Sequence, residues 1–345
     1  MAGEVHTRTY NFAFSLNKQS DIFTAVADGS VNKMRPVRTF APATMNKKAI
    51  SDKEWFGKGH PWATFYDVVT RHYVLPSREM SATNLDILFA AAFVMGKVTT
   101  TGGPEYRHEI IFEDLTTLTE CRYTSMLEAM GSIYKKKLSG AWINSFRLHG
   151  KMDDHLLISW EGGARQYEDS VASLPASVTS ATFFKTLFGE LNFGTFSSIS
   201  DTICAKVLDW QVDIGQAAEP KYSLCSPDGE EGLLSKVLRG KLTAKAEVKI
   251  EIDAAIRDNF IDQDLCSLQI IARSEDIIAG GSNPHSLEIN IPACKIGEES
   301  FSEDGETVAY TLTMDEESIL KSGTLEPITL SLITDINGAA ILVTA

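Results

Sequence analysis

The residues most able to do chemistry here are histidines, carboxylates, glycine pairs, lysine runs and thiols. The chain of 345 residues has seven histidines: His6, His60, His72, His108, His149, His155 and His285. None falls in an H-E-x-x-H or related metal-ligand pattern. His149 and His155 flank an expected turn with Asp153 and Asp154 between them. Such a group has the donors for a metal ion, but an exposed polar turn accounts for the same residues more simply. Nucleophile-elbow spacing, G-x-S-x-G, is absent. Gly162–Gly163 follow an apolar run, yet neither G-x-x-x-x-G-K-[ST] nor G-x-G-x-x-G follows, so no phosphate cradle is indicated. Carboxylate pairs are plentiful, as in any acidic chain, and none stands out as a general acid and base. Lys135–Lys137 and Lys47–Lys48 lack the interleaved stacking aromatics of a nucleic-acid surface. Cys121, Cys204, Cys225, Cys266 and Cys294 are scattered, with no C-x-x-C pair. They are expected to be small buried thiols in a reducing compartment rather than a disulfide framework or a zinc site. The motifs therefore point to no catalytic residue, no metal and no cofactor, and to a protein that is not an enzyme.

Charge bounds the partners. The formal net charge is −14 and it is unevenly spread. Residues 1–80 hold 11 Lys and Arg against 7 Asp and Glu, an excess of four positive charges that leaves −18 on the remainder. A surface this negative repels nucleic acid rather than gripping it. A solvated surface that keeps the protein soluble explains the same charge. No run of eighteen apolar residues occurs, so no membrane span is expected. The sequence MAGEVHTRTYNFAF has no apolar signal core, and synthesis and use from the cytoplasm are expected.

The elements that must position these residues are mostly strands. Residues 1–80 are polar, basic and weakly periodic, and read as an extended N-terminal arm with short strands such as Phe65–Val74. Its aromatics, among them Trp55, Phe56, Trp62 and Tyr73, argue for an arm that packs on something, such as another subunit. The clearest helix spans Leu85–Met95, capped by Ser81, Thr83 or Asn84 and ended by Gly96. Leu85, Leu88, Phe89, Ala92 and Phe93 form one stripe, and Ile87, Ala90, Ala91 and Val94 make the other faces apolar too. A helix apolar all round must be covered all round, in a deep core or at a subunit interface; the stripe is thus a candidate subunit-interface helix.

After Gly96 the period changes from helix to strand. Expected strands are Tyr106–Phe112, Ala141–His149, Leu156–Glu161, Lys206–Ile214, Leu242–Asp253, Leu265–Ala272, Leu287–Ile291, Val308–Met314 and Ile328–Thr334. Leu242–Asp253 alternates without a fault, apolar one way and Thr243, Lys245, Glu247, Lys249, Glu251 and Asp253 the other. Short helices are expected at Ala181–Leu191 and Glu231–Leu238. Many strands, turn signals and few helices indicate an antiparallel β-sandwich or barrel over residues 81–345. An apolar strand, polar turn and second strand at Trp142–Trp160 recur at Val207–Leu224. They suggest either duplicated halves, about 81–175 and 180–345, or simply two hairpins.

Taken in order, these features resemble the tail tube (major tail) protein of long-tailed bacteriophages. The resemblance rests on the aromatic-containing arm, then LDILFAAAFVMGKV (Leu85–Val98), YRHEIIF (Tyr106–Phe112) and WINSFRLHGKMDDHLLISWEGG (Trp142–Gly163). SLEINIPACKI (Ser286–Ile296) and ITLSLITD (Ile328–Asp335) complete it. It spans about Gly57 to Asp335 and carries no catalytic residue. It implies a virion protein of the tail, made in the host cytoplasm. Copies of the chain form rings, usually hexameric, that stack into a hollow tube. The implied partners are copies of itself, a tape measure protein, and tail terminator and distal tail proteins. Genomic DNA passes through the lumen without specific binding, and Glu247, Glu251 and Asp253 are the candidate lumen-facing acids. A distal tail or baseplate hub protein of the same fold is the alternative, and a β-sandwich hydrolase a more remote one.

Overall fold

The computed structural model describes residues 10–23, 25, 35–36, 38, 41–51, 66–113, 120–130, 134–151, 154–168, 182–195, 198–202, 207–223, 234–251, 265–304, 307–321 and 323–338. In chain order the strands begin with β1 (Tyr10–Phe14), β2 (Arg35–Pro36), β3 (Thr44–Ser51) and β4 (Tyr66–Ser81). Helix α1 (Asn84–Val94) follows, then β5 (Gly96–Gly102), β6 (Tyr106–Phe112), β7 (Thr124–Met130), β8 (Tyr134–Lys151), β9 (Leu157–Ala164) and β10 (Gln166–Glu168). The second half is strand throughout: β11 (Phe184–Thr195), β12 (Ser198–Thr202), β13 (Val207–Tyr222), β14 (Leu234–Glu251), β15 (Cys266–Ile277), β16 (Pro284–Cys294), β17 (Glu298–Asp304), β18 (Thr307–Met314) and β19 (Thr329–Thr334).

All pairings are antiparallel, and they build two sheets. The larger has twelve strands. One run crosses it as β17-β18-β14-β13-β8-β9-β4-β3, and β7, β1 and β2 branch from the first half of β8. The smaller runs β12-β11-β15-β16-β19-β6-β5. The chain is therefore mainly β, with antiparallel sheets and one helix among the described residues.

Period-two alternation sets which face is buried. In the larger sheet Phe146, Leu148, Val212, Ile214, Ala246 and Val248 point inward from neighbouring strands. In the smaller, Ile270, Ile289, Leu330 and Ile110 line up in one register row. Between the sheets lies α1, which touches β8, β9 and β13 of one and β5, β16 and β19 of the other. Thr83 precedes it, and the Asp86 carboxylate accepts from the Thr83 N–H (2.9 Å) and hydroxyl (2.7 Å). Its C-terminal carbonyls are buried, where unpaired acceptors are costly. Arg122 donates to Ala92 O (3.1 Å) and to Gly96 O, and Arg239 donates to Val94 O (2.7 Å). Glu113 offsets both guanidiniums. Gly96, at φ 104°, makes the turn from helix into β5.

Several expectations are corrected. Leu88, Phe89 and Ala92 are wholly buried and Phe93 is 1% exposed, with Leu85 partly buried against the same core. The stripe of Leu85, Leu88, Phe89, Ala92 and Phe93 is covered by the chain's own sheets, so it is a core helix and not a subunit interface. The segment read as a helix at Ala181–Leu191 holds the first part of β11, and Leu234–Leu238 opens β14. Both carry a register shift, between Lys185 and Glu190 and opposite Lys221–Tyr222. Extra residues at a bulge put Phe184 and Leu191, and Leu234 and Val237, on one side at helical spacing. The echo at Val207–Leu224 has no turn, because Val207–Tyr222 is one strand.

Part of the basic N-terminal segment belongs to this chain's own core. Phe14 stacks on Phe89 of α1 (3.9 Å between centroids), and Phe12 packs on Trp160 (5.0 Å). Arg78 of β4 pairs with Glu128 of β7, both fully buried, and donates from Nε to Tyr10 Oη and Ala41 O (3.0 Å each). Burial holds the Tyr10 phenol well above its ordinary range. The arm aromatics Trp55, Phe56, Trp62 and Phe65 lie outside the described residues.

Candidate functional site

The feature that combines exposure, charge and order is the outer face of the larger sheet, together with its two ends. On β8, Arg147 sits opposite Asp213 of β13 and donates to it at 2.5 Å. On the other side of Asp213 stands Lys245 of β14, which pairs with Glu247 at 2.6 Å. His149 bonds Asp209 at 2.7 Å, Gln211 donates to Asp213 (2.7 Å), and Ser145 donates to Glu161 (3.1 Å). The hydrogen bond to Asp209 raises the His149 pKa above 6.5 against the pull of burial. Likewise the Glu247 carboxylate raises the Lys245 ammonium.

This face is a lattice of alternating charges. Glu247 is half-buried and ion-paired, and Glu251 is half-buried at the far end of β14 opposite Ala309. Asp253 lies outside the described residues. Coulomb attraction across adjacent strands favours such alternation, whereas like charges opposite each other destabilise a sheet.

The other sequence candidates separate. His149 faces Asp209, while His155 lies at a bridge with Lys185 with its ring 5.4 Å from Phe183. Asp154 accepts two hydrogen bonds from Arg38 (2.6 and 2.8 Å), which lower its carboxyl to about 2. Asp153 lies outside the described residues. No group of three or more metal-ligating side chains occurs among the described residues. Gly162 and Gly163 have a packing role. A Cβ at Gly163 would stand 2.3 Å from the Trp142 ring directly across the strand pair, and one at Gly162 would meet the Trp142 carbonyl at 2.0 Å. Gly150 makes the same room for Trp210. Lys136 of the Lys135–Lys137 run lies over the rings of Tyr167 (4.6 Å) and Tyr134 (4.9 Å), so stacking occupies this cation.

A cleft of about 780 Å³ opens where β5, β6 and β14 meet the 316–327 segment. Its floor includes Phe112, Leu242 and Ile319. Its rim carries Lys241–Glu316 (2.9 Å) and Lys321–Glu326 (3.5 Å), mutually paired charges with no nucleophile and base in contact.

The ends of the larger sheet are what sequence reading missed. Among the described residues, β17 pairs only with β18 and β3 only with β4. Each therefore presents an outward row of backbone donors and acceptors. The β17 sequence, EESFSED, has four carboxylates and no cation. The β3 sequence, TMNKKAIS, has two lysines and no carboxylate, and Thr44–Lys48 are exposed. On β17 the Phe301 ring is 61% exposed and rests edge-on against Tyr310. Both charge runs are visible in the sequence, but only sheet topology makes them opposite edges of one sheet. No helix among the described residues is long and apolar enough to cross a membrane. No protein-family model and no curated protein matches the chain.

Proposed function

We propose that this chain is a structural subunit that joins copies of itself head to tail, as a tail tube (major tail) protein of a long-tailed bacteriophage does. The observation that carries this reading is the pair of open edges of opposite charge at the two ends of one sheet. An acidic edge on one copy and a basic edge on the next form a heterologous contact, and such contacts close into rings when the rotation between copies permits. Strand addition supplies backbone hydrogen bonds, and the opposite charges steer encounter and suppress pairing of like edges. The alternating lattice on the outer face suits a conduit wall. Arg147 and Lys245 are each neutralised by a neighbouring carboxylate, which limits their attraction for a passing phosphate backbone. The tape measure, tail terminator and distal tail proteins are the further partners in this reading, and the tail of the virion is the location.

Negative-stain electron microscopy of the purified protein tests it, with rings or tubes as the expected outcome. A Lys47→Glu, Lys48→Glu variant is expected to stay monomeric. Adding Glu298→Lys, Glu299→Lys and Glu303→Lys to that same chain reverses both edges and is expected to restore assembly. Monomers under every condition, including with tape measure protein, would end the reading.

A further inference from the structure

We propose that Cys266 and Cys294 are a peroxide-responsive dithiol, converted to a cross-strand disulfide that staples β15 to β16 in the smaller sheet. The two residues are directly opposite in the antiparallel register, 28 apart in sequence, with Sγ atoms 3.5 Å apart. Both are buried, Cys266 at 1% and Cys294 at 0% exposure. Opposed residues in an antiparallel pair have Cβ atoms roughly 4.5–5.5 Å apart, and a disulfide needs about 3.5–4.5 Å. The register shifts beside the pair, where Cys266 and Leu268 of β15 face Cys294 and Ile291 of β16, leaving Pro292 and Ala293 as the irregularity. A bulge lets the backbone supply the remaining approach.

The thiols are unequal. Either sulfur can donate in the 3.5 Å contact, and with the proton on Cys294 the contact favours the Cys266 thiolate and lowers its pKa. The same contact, with burial, raises Cys294. Cys266 is thus the attacking sulfur and Cys294 the resolving one. The Cys266 thiolate attacks one oxygen of hydrogen peroxide, breaking the O–O bond. The departing hydroxide takes up the thiol's proton as water, and a sulfenic acid remains. Cys294 sulfur then displaces the sulfenic hydroxyl, and its own proton leaves with it as a second water. Two thiols are oxidised by two electrons and one peroxide is reduced. Peroxide is close to water in size and enters through local opening at the strand end.

The test treats the folded full-length protein with hydrogen peroxide, blocks remaining thiols, and maps peptides without reduction. A Cys266–Cys294 linked peptide is expected, lighter by two hydrogens and released by dithiothreitol. Cys121→Ser retains it, and Cys266→Ser or Cys294→Ser abolishes it. The linked form is also expected to show slower amide exchange across β15 and β16. The proposal is overturned if both thiols remain alkylatable after unfolding the treated protein. It is equally overturned if oxidation stops at sulfinic acid, or if the link forms no faster in folded than in denatured chain.

Discussion

The two sheets bury similar aliphatic rows but treat polarity in opposite ways. The larger sheet relies on full charges. Arg78 and Glu128 are buried as an ion pair, and Arg147, Asp213, Lys245 and Glu247 tile its outer face. The smaller sheet relies mainly on neutral groups. Asn192 donates to Gln269 (2.9 Å), and Gln269 donates to Glu288 (2.8 Å) and Asn290 (2.9 Å) across three strands. Inside it, His108 is wholly buried between the hydroxyls of Thr100 (2.9 Å) and Thr334 (3.0 Å). Its ion pairs, such as Arg273–Glu190 (2.5 Å) and Arg107–Glu288 (3.9 Å), are partly exposed, and the second shares Glu288 with the amide network. The difference teaches that one chain can hold two sheets with different sensitivities. Salt acts on the larger sheet through its pairs, and pH acts on the smaller sheet through its buried imidazoles, His108 and His285.

The largest expected effect breaks the buried charge pair. Glu128→Ala leaves Arg78 buried without its carboxylate and is expected to cost about 3–5 kcal/mol. His108→Ala strands only hydroxyls and is expected to cost about 1–3 kcal/mol. Equal losses in urea melts of the two variants would erase the distinction between the sheets.

A smaller effect is the pH response, which has opposite signs at His149 and at His108. The folded-state pKa of His149 is raised by Asp209, so its contribution is complete below the ordinary value near 6.5 and is lost as pH rises through the folded value. Burial lowers the folded-state pKa of His108, so its contribution is complete above about 6.5 and is lost as pH falls toward the folded value. Unfolding free energy measured from pH 5 to 8 should therefore lose part of its acid limb in His108→Gln and part of its alkaline decline in His149→Gln. His72 and His285 are lowered by burial too, so the acid limb is only partly removed by His108→Gln. The smallest effect is salt. Arg147→Ala should cost ~0.2–1 kcal/mol at low salt. That cost should vanish near 1 M salt, where charges are screened beyond about 3 Å. The cost of Gln269→Ala should stay constant across the same series, and a salt-dependent Gln269→Ala would contradict the neutral character assigned to its sheet.

The sequence was most legible where one element obeyed one period. Tyr106–Phe112 and the alternating stretch within Leu234–Glu251 are strands where alternation places them, and Asn84–Val94 is the helix. It failed where a bulge broke the period. At Phe184–Leu191 and Leu234–Val237 the inserted residues imitate a helical stripe, and nothing local distinguishes the two. The start of β8 and the whole of β7 also escaped, because TSMLEAM buries polar Ser125 and Glu128 beside its apolar residues. Of these, Glu128 is the inward partner of Arg78. The candidate surface was half legible. The alternation of charges along β14 was plain, and Lys245 and Glu247 pair along it, but the neighbouring Arg147–Asp213 pair joins β8 to β13 at a distance only the fold can set. The Lys47–Lys48 pair was noticed as a short basic run, but its relation to the acidic β17 edge depends on strand order.

The sequestered helix has a consequence for synthesis. Helix α1 ends at Val94, and the last strand of the sheet that covers one of its sides ends at Thr334, roughly 240 residues later. At ordinary elongation rates that interval lasts on the order of 10–50 s. Through that time the ribosome displays LFAAAFV with its covering incomplete. The nascent chain then offers chaperones one well-defined greasy segment, and its release coincides with completion of the second sheet.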